Sequence, residues 1–284
     1  MTHETGRFRS PDGLDLFTRR WTPDRPTRGV VVLIHGVHEH SRRYAYLASA
    51  LMQHGLEVRA LDMRGHGESP GDRARVEAFT DYIEDVSAFL DATIAEADGL
   101  PVFLMGHSMG GLIVAGTVVD RGTSGLSGVI LSSPALQLPD ETPALLQRLA
   151  PVIARWLPNV PVSRLDLSKI SRDPTVVRAY REDPLTTKKA VRAHLGYEIV
   201  QTIDRVRAHP GAFDVPLYLF HGTADKITDP AGTEWLAEHA ASGDVTLNLY
   251  DGLYHETLNE PERDDVIEDL VAWFLDRLGD EGLD

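Results

Sequence analysis

PVFLMGHSMGG, residues 101–111, is the stretch on which the fold turns. An apolar run ends in Gly106-His107-Ser108-Met109-Gly110 and passes directly into a segment of helical period. A strand entering a helix through so sharp a turn forces the serine toward positive φ. Glycines two residues to either side let the neighbouring backbone approach without a Cβ clash. The Ser108 hydroxyl then stands clear of the strand end as a nucleophile. The helix that follows points its first amides at the reacting centre, where its N-terminus favours negative charge, and this makes the Met109 N–H the natural oxyanion donor. A lone G-x-S-x-G occurs in loops by chance, but here strand, turn and helix coincide, as a nucleophile elbow requires.

The segments on either side repeat the alternation. GVVVLIHG, LEVRALDMRG and GVILSSP, like the run before the elbow, are rich in β-branched residues and leucine, and they alternate with helical periods over 42–54, 79–97 and 109–121. Two further strands, VPLYLFHG and VTLNLYDG, come with helices near 232–241 and 263–278. This is how a mostly parallel sheet flanked by crossover helices reads, and the fold class is α/β. Ahead of it, TGRFRS and LDLFTRRW flank the turn-forming SPDG and predict an antiparallel hairpin.

The sheet is interrupted. Residues 134–213 hold no comparable strands, which predicts a core of residues 1–133 and 214–284 and a helical cap over 134–213. In the cap, Leu145, Leu149, Val152 and Trp156 form one stripe at helical spacing, and Leu146, Ala150, Ile153 and Leu157 form its neighbour. Both stripes are expected to pack on the domain beneath. The sharper alternative is that part of this face, Ile153 and Trp156 included, lines an acyl pocket or makes transient contact with a micelle or membrane. Pro151 is expected to kink the helix.

Composition narrows the functions. The 284 residues carry 42% hydrophobic and 25% charged side chains, as in an ordinary globular protein. A formal net charge of -15, spread along the chain, repels phosphate backbones, so nucleic acid is not expected as a partner. With no cysteine, a thiolate nucleophile and a cysteine metal site are excluded. The N-terminal stretch lacks a basic start followed by an apolar run, and no run reaches the roughly 18 residues of a membrane span, so a cytoplasmic location is expected.

A serine nucleophile needs a base and an orienting acid, each on a loop beyond a strand, in the chain order serine, acid, histidine. VPLYLFHGTADKITDP places Asp225 just past one strand, and VTLNLYDGLYHETLNEP places His255 just past the next. His255 would take the serine proton, and Asp225 would fix the imidazole tautomer and stabilise its cation. Asp229 precedes Pro230 and reads as a helix-entry residue, and Asp251 sits in a DG turn, so Asp225 is favoured. His221 precedes the acid and His239 lies in a helix; neither suits the base. His66 and His107 read as packing or hydrogen-bonding residues.

Taken together, HGVHEHSRRY (35–44), LDMRGHGES, GHSMGG, ISRDPTVVRAYREDPL, HGTADKITDP and GLYHETLNEPER resemble, in order and across essentially the whole chain, segments of the bacterial monoacylglycerol lipases, a lysophospholipase-like branch of the serine α/β-hydrolases. The resemblance implies an α/β-hydrolase fold with a helical cap and an esterase of single-chain glycerol esters that uses no cofactor. It implies that Val37 gives the second oxyanion N–H, and that Glu39 and Arg43, with His38 beside them, lie at the polar end of the substrate pocket. One departure bears on this loop: the family commonly has glycine where this chain has His38.

His35, His38, Glu39 and His40 also invite a metal reading. They lie in a tight loop without the i, i+4 spacing of a helical H-E-x-x-H, and nothing elsewhere completes a site, so no metal is expected. His35 is expected to brace the loop and His40 to help its turn into the next helix. The expected reaction is hydrolysis of monoacylglycerol through an acyl-enzyme on Ser108. Alternatives are a lysophospholipase, a broad carboxylesterase acting on other mono-esters such as phthalates, and a non-catalytic ligand-binding relative, which would be expected to lose part of the triad. Serine at the elbow argues against branches with a carboxylate nucleophile.

Overall fold

The computed structural model describes residues 2–73, 75–139 and 151–278. Eight strands form one sheet in the order β1-β2-β4-β3-β5-β6-β9-β10. The hairpin β1 (Thr2–Arg9) and β2 (Asp15–Thr22) is antiparallel and joins β4 (Leu56–Leu61) antiparallel. From there β3 (Gly29–Ile34), β5 (Val102–His107), β6 (Gly128–Ser132), β9 (Leu217–Gly222) and β10 (Val245–Tyr250) all run parallel. Residues of β3, β4, β5, β6 and β9 are buried throughout, which is why they read as unbroken apolar runs.

Successive side chains of these strands feed opposite cores. Val30, Val32, Ile34 and Leu104 pack on the face covered by α2 (Phe79–Glu96) and α3 (Met109–Arg121). Val31, Leu33, Phe103 and Met105 pack on the face covered by α1 (Ala45–Gln53) and the C-terminal helix Arg263–Leu278. The parallel arrangement brings the loops after β3, β5, β9 and β10 to the carboxyl edge of the sheet, where α/β folds build sites.

Two helix starts differ from expectation. Residues Ser41–Tyr44 wind as a 3-10 turn before α1, since the Ser41 N–H and hydroxyl are both drawn to Asp62 Oδ1 at 2.8 and 2.6 Å. The helix expected at 232–241 runs Pro230–His239, with proline in its first turn and Asp229 capping the Ala231 N–H at 3.0 Å.

Between β6 and β9 the chain leaves the main sheet. Its described part contains a small antiparallel pair, β7 (Pro161–Ser163) with β8 (Val191–Arg192), and the helices α4 (Pro174–Glu182) and α5 (Ala193–Ala208). Leu195, Ile199, Ile203 and Val206 of α5 enter the same core as α2 and α3. Leu145, Leu146, Leu149 and Ala150 lie outside the described residues, and so does the expected kink at Pro151, which depends on them. Where the stripes continue, the expected burial is not found: Val152, Trp156 and Leu157 are 55%, 73% and 57% exposed. Residues 151–156 are helical and turn Ala154 inward, so Val152 and Trp156, one turn apart, face solvent, and Ile153 is half-buried. Among the described residues no helix is long and apolar enough to cross a membrane.

Candidate active site

Ser108 sits between β5 and α3 at φ 54° and ψ -121°, the positive φ that the elbow demands. A Cβ on Gly106 would stand 2.4 Å from the Gly110 carbonyl oxygen, and one on Gly110 2.3 Å from that of Ile34, so both positions require glycine. The Ser108 N–H donates to Ser132 O at 3.0 Å, and its carbonyl accepts from Leu112 and Ala135, which fixes the turn on both sides. Met109 opens α3, and its N–H is among those a helix cannot satisfy internally.

Asp225 follows β9 and His255 follows β10, and the two meet. The His255 Nδ1–H donates to Asp225 Oδ2 at 2.7 Å. The same oxygen pairs with His221 Nε2 at 2.9 Å and accepts from the Thr228 hydroxyl at 2.9 Å, and Oδ1 takes the amides of Ile227 and Thr228 at 2.7 and 3.2 Å. Burial opposes charge on this carboxyl, but His255 and the hydrogen bonds from His221 and His255 outweigh it and hold Asp225 far below the usual carboxylate range. Burial lowers the His255 pKa, yet the Asp225 charge and hydrogen bond raise it above the ordinary 6.5. His107 pairs its Nδ1 with Ser132 Oγ at 3.1 Å and lies with its ring centre 4.8 Å from that of His255. Burial, then the neighbouring His255, push it down to about 4, so it is a neutral imidazole beside the couple.

The rivals lie elsewhere. Asp229 caps a helix and Asp251 accepts from the exposed Thr223 hydroxyl at 3.2 Å. His239 bonds to Trp235 O and stacks on its ring, and His66 bonds to Arg64 O. His221, set aside as a base in the sequence, is fully buried and bridges Asp225 and the Thr233 hydroxyl (2.7 Å), which places it in the surroundings of Asp225. Its only signal was its place four residues before Asp225.

The loop HGVHEHSRRY is held by its own side chains. His35 braces it, with Nδ1 on Gly36 O at 2.8 Å and Nε2 accepting the Met63 N–H at 2.9 Å. Glu39 Oε1 accepts from the Gly36 N–H at 2.6 Å and the Tyr44 hydroxyl at 2.7 Å, and Oε2 takes Arg43 Nη1 at 2.7 Å. Arg43 also grips both oxygens of Glu256, each at 2.7 Å, and stacks on the Tyr180 ring at 4.5 Å. Burial alone would raise the Glu39 pKa, but Arg43 and the nearby imidazoles bring it to about 2. His40 helps the turn at Ser41 through its backbone, its carbonyl accepting the Arg43 N–H at 3.3 Å, while its side chain gives no cap and pairs with Asp183 of the insertion at 3.0 Å. His38 takes φ 68°, the conformation that suits glycine, and its carbonyl accepts the Thr187 N–H at 3.0 Å. Its ring is buried, with neither nitrogen partnered among the described residues, and burial lowers its pKa to about 4. Each of the four residues of the metal reading is thus turned to a separate contact or buried alone, and among the described residues no three His, Asp or Glu group as metal ligands.

Ser108 and His255 line one small cavity of about 20 Å³ together with Gly36, Val37, Glu39 and His107. Glu256 lines it too, and Leu165, Ile170 and Tyr180 close it from the insertion. Arg43 lies behind the two glutamates. His38, Ile153 and Trp156 do not reach this cavity. A larger one, about 360 Å³, lies where residues 75–77, the helical residues 154–155 and the start of α5 meet, and holds none of Ser108, Asp225 or His255; the smaller cavity is the candidate site because Ser108 and His255 share it. Glu256 and Tyr180 lie in the quoted stretches GLYHETLNEPER and ISRDPTVVRAYREDPL, but no spacing or chemistry within them singled out either residue.

Residues 25–262 match the Hydrolase_4 family, described as serine aminopeptidase, S33. The chain is 36% identical to the monoacylglycerol lipase of Mycolicibacterium smegmatis, covering 98% of this chain and 99% of that one. It is 34% identical to phospholipase YtpA of Bacillus subtilis, covering 89% and 97%. The solved Paleococcus ferrophilus monoacylglycerol lipase superposes with a TM-score of 0.81 at 35% identity, covering 92% of this chain and 99% of that one. The sheet order, the serine elbow, the His–Asp couple and these likenesses agree, and the chain belongs to the Hydrolase_4 family of serine α/β-hydrolases, in its monoacylglycerol lipase branch.

Proposed function

We propose that this chain hydrolyses monoacylglycerol to glycerol and a free fatty acid, with Ser108, His255 and Asp225 as its triad. The observation that carries the reading is the His255–Asp225 couple opening onto the same cavity as a serine on a strained elbow. Ser108 Oγ attacks the ester carbonyl as His255 takes its proton, and the Val37 and Met109 amides receive the oxyanion. Collapse expels glycerol, which leaves with the proton from His255. A water activated by the same imidazole then attacks the acyl-enzyme, releasing the fatty acid and restoring Ser108.

Glu39 accepts a headgroup hydroxyl at the polar end, with Arg43 acting through it and His38 setting the loop. Residues 134–213 serve as the cap on a core of 1–133 and 214–284. A cavity of about 20 Å³ holds roughly one water, so an ester enters only when cap side chains such as Leu165 and Ile170 move aside. The acyl route passes the Ile153 and Trp156 side of the cap, and the exposed Val152, Trp156 and Leu157 meet a micelle or membrane transiently, from the cytoplasm.

A second reading, a lysophospholipase, is favoured by the likeness to phospholipase YtpA. A panel of mono-, di- and triacylglycerols, lysophospholipids and p-nitrophenyl esters of graded chain length separates the two. The proposal expects monoacylglycerol to give the highest kcat/KM among the glycerol lipids, and preference for a lysophospholipid would overturn it.

A further inference from the structure

The cavity's polar end has a charge that the reaction does not require. Two of its lining side chains, Glu39 and Glu256, are carboxylates, and among the described residues no lysine or arginine lines it. The guanidinium that answers them is Arg43, which sits behind both. Arg43 Nη1 is shared between Glu39 Oε2 and Glu256 Oε1, Nη2 is held by Glu256 Oε2, and one face of the group lies on the Tyr180 ring. All three side chains are close to fully buried, at 4% for Glu39, 6% for Glu256 and 11% for Arg43. Two anions against one cation leave a net negative charge at the wall, and Asp225 adds a third carboxylate behind His255.

We propose that Glu256 is a specificity-determining residue: with Glu39 it makes the alcohol end of the cavity negative, so that the site takes esters with an uncharged alcohol part and rejects those bearing an anion near the scissile bond. The inference rests on the ester-hydrolase reading above and deepens it. A hydroxyl can donate to a carboxylate facing it, whereas a phosphate or carboxylate has nothing to donate and meets like charge in a space shielded from water. Arg43 cannot rescue such a group, because three of its five N–H groups are held by the glutamates and it does not line the cavity. Glu256 follows His255 directly, so the charge lies on the loop that carries the base. Its other hydrogen bond, from Asn259 Nδ2 at 2.9 Å, keeps the carboxylate in place when the cavity is empty.

The test uses two ester pairs with one acyl chain. The first pair joins it to methyl 4-hydroxybenzoate or to 4-hydroxybenzoate, and each rate is divided by that ester's rate with hydroxide. The second pair is the monoacylglycerol and its 3-phosphate. Wild type should favour the uncharged member of each pair by about a hundredfold, and Glu256→Gln should cut that preference by about tenfold or more, chiefly by raising turnover of the charged ester. A gain of turnover cannot come from misfolding. Wild-type rates on the two members within about threefold, or a preference unchanged in Glu256→Gln, would overturn the proposal. If the benzoate pair discriminates but monoacylglycerol is not cleaved, the glycerol reading fails and the charge selection stands.

Discussion

His221 offers a sharp test of the proposed triad. Replacing it with leucine removes one of five donors to the Asp225 carboxylate, leaving Oδ2 with His255 at 2.7 Å and Thr228 at 2.9 Å. A hydrogen bond to a charged group contributes about 1.5–3 kcal/mol, and the buried Thr233 hydroxyl loses its partner as well. A stability loss of about 3 kcal/mol follows, a fall in Tm of roughly 5–10 °C. Catalysis suffers separately. The carboxylate keeps its contact with His255 but is held less tightly in the geometry that orients the ring, and kcat should fall about tenfold, or 1.4 kcal/mol of barrier, with KM little changed. His255 would also face a less shared negative charge, so the acid limb of kcat/KM should move to higher pH. Glutamine is the internal control. Its amide can donate to Asp225 while its oxygen accepts from Thr233, and His221→Gln should recover kcat to within about threefold. Steady-state kinetics from pH 5 to 10, with thermal melts on the same samples, give both readouts. A folded His221→Leu enzyme with unchanged kcat and an unmoved acid limb would refute the reasoning.

Other consequences can be measured alongside. Ser108→Ala should remove at least about a thousandfold of kcat, and Ser108→Gly should be equally inactive yet more stable than the alanine variant by about 1 kcal/mol, since only glycine sits at φ 54° without strain; equal melting temperatures would contradict the elbow argument. The base must be neutral to accept a proton and its pKa is raised, so kcat/KM should climb with pH through a value above 6.5; an acid limb below 6.5 would mean that Asp225 does not control His255. Glu39, depressed to about 2, contributes stability that is fully present above its ordinary 4.5 and is lost as pH falls toward 2, so Glu39→Gln should flatten the acid end of the stability curve. The same variant should slow a p-nitrophenyl ester as well as monoacylglycerol, because the carboxylate holds the Gly36 amide beside Val37, with a further severalfold loss confined to the glycerol ester; loss on the glycerol ester alone would remove the bracing role.

Local chemistry was legible in the chain. The elbow helix begins and ends where its pattern placed it, Met109–Arg121, because glycine spacing, turn and helical period all lie within a few residues. The terminal helix Arg263–Leu278 does the same. The places of Asp225 and His255 just past strands were legible because strand periodicity is also local, for the fully buried β9 and the partly buried β10 alike. What the sequence could not carry were partnerships across distance. Arg43 and Glu256 are 213 residues apart, and only the parallel order β3, β5, β6, β9, β10 brings their loops to one edge. The 3-10 start at Ser41 depends on Asp62 from the loop after β4. The outward face of Val152 and Trp156 depends on which side of the helix the core leaves uncovered, and a stripe at helical spacing reads the same whether it meets protein or solvent. Periodicity fixes which residues share a face. The sum of the packed surfaces decides what that face meets, and therefore where a charge such as Glu256 comes to lie.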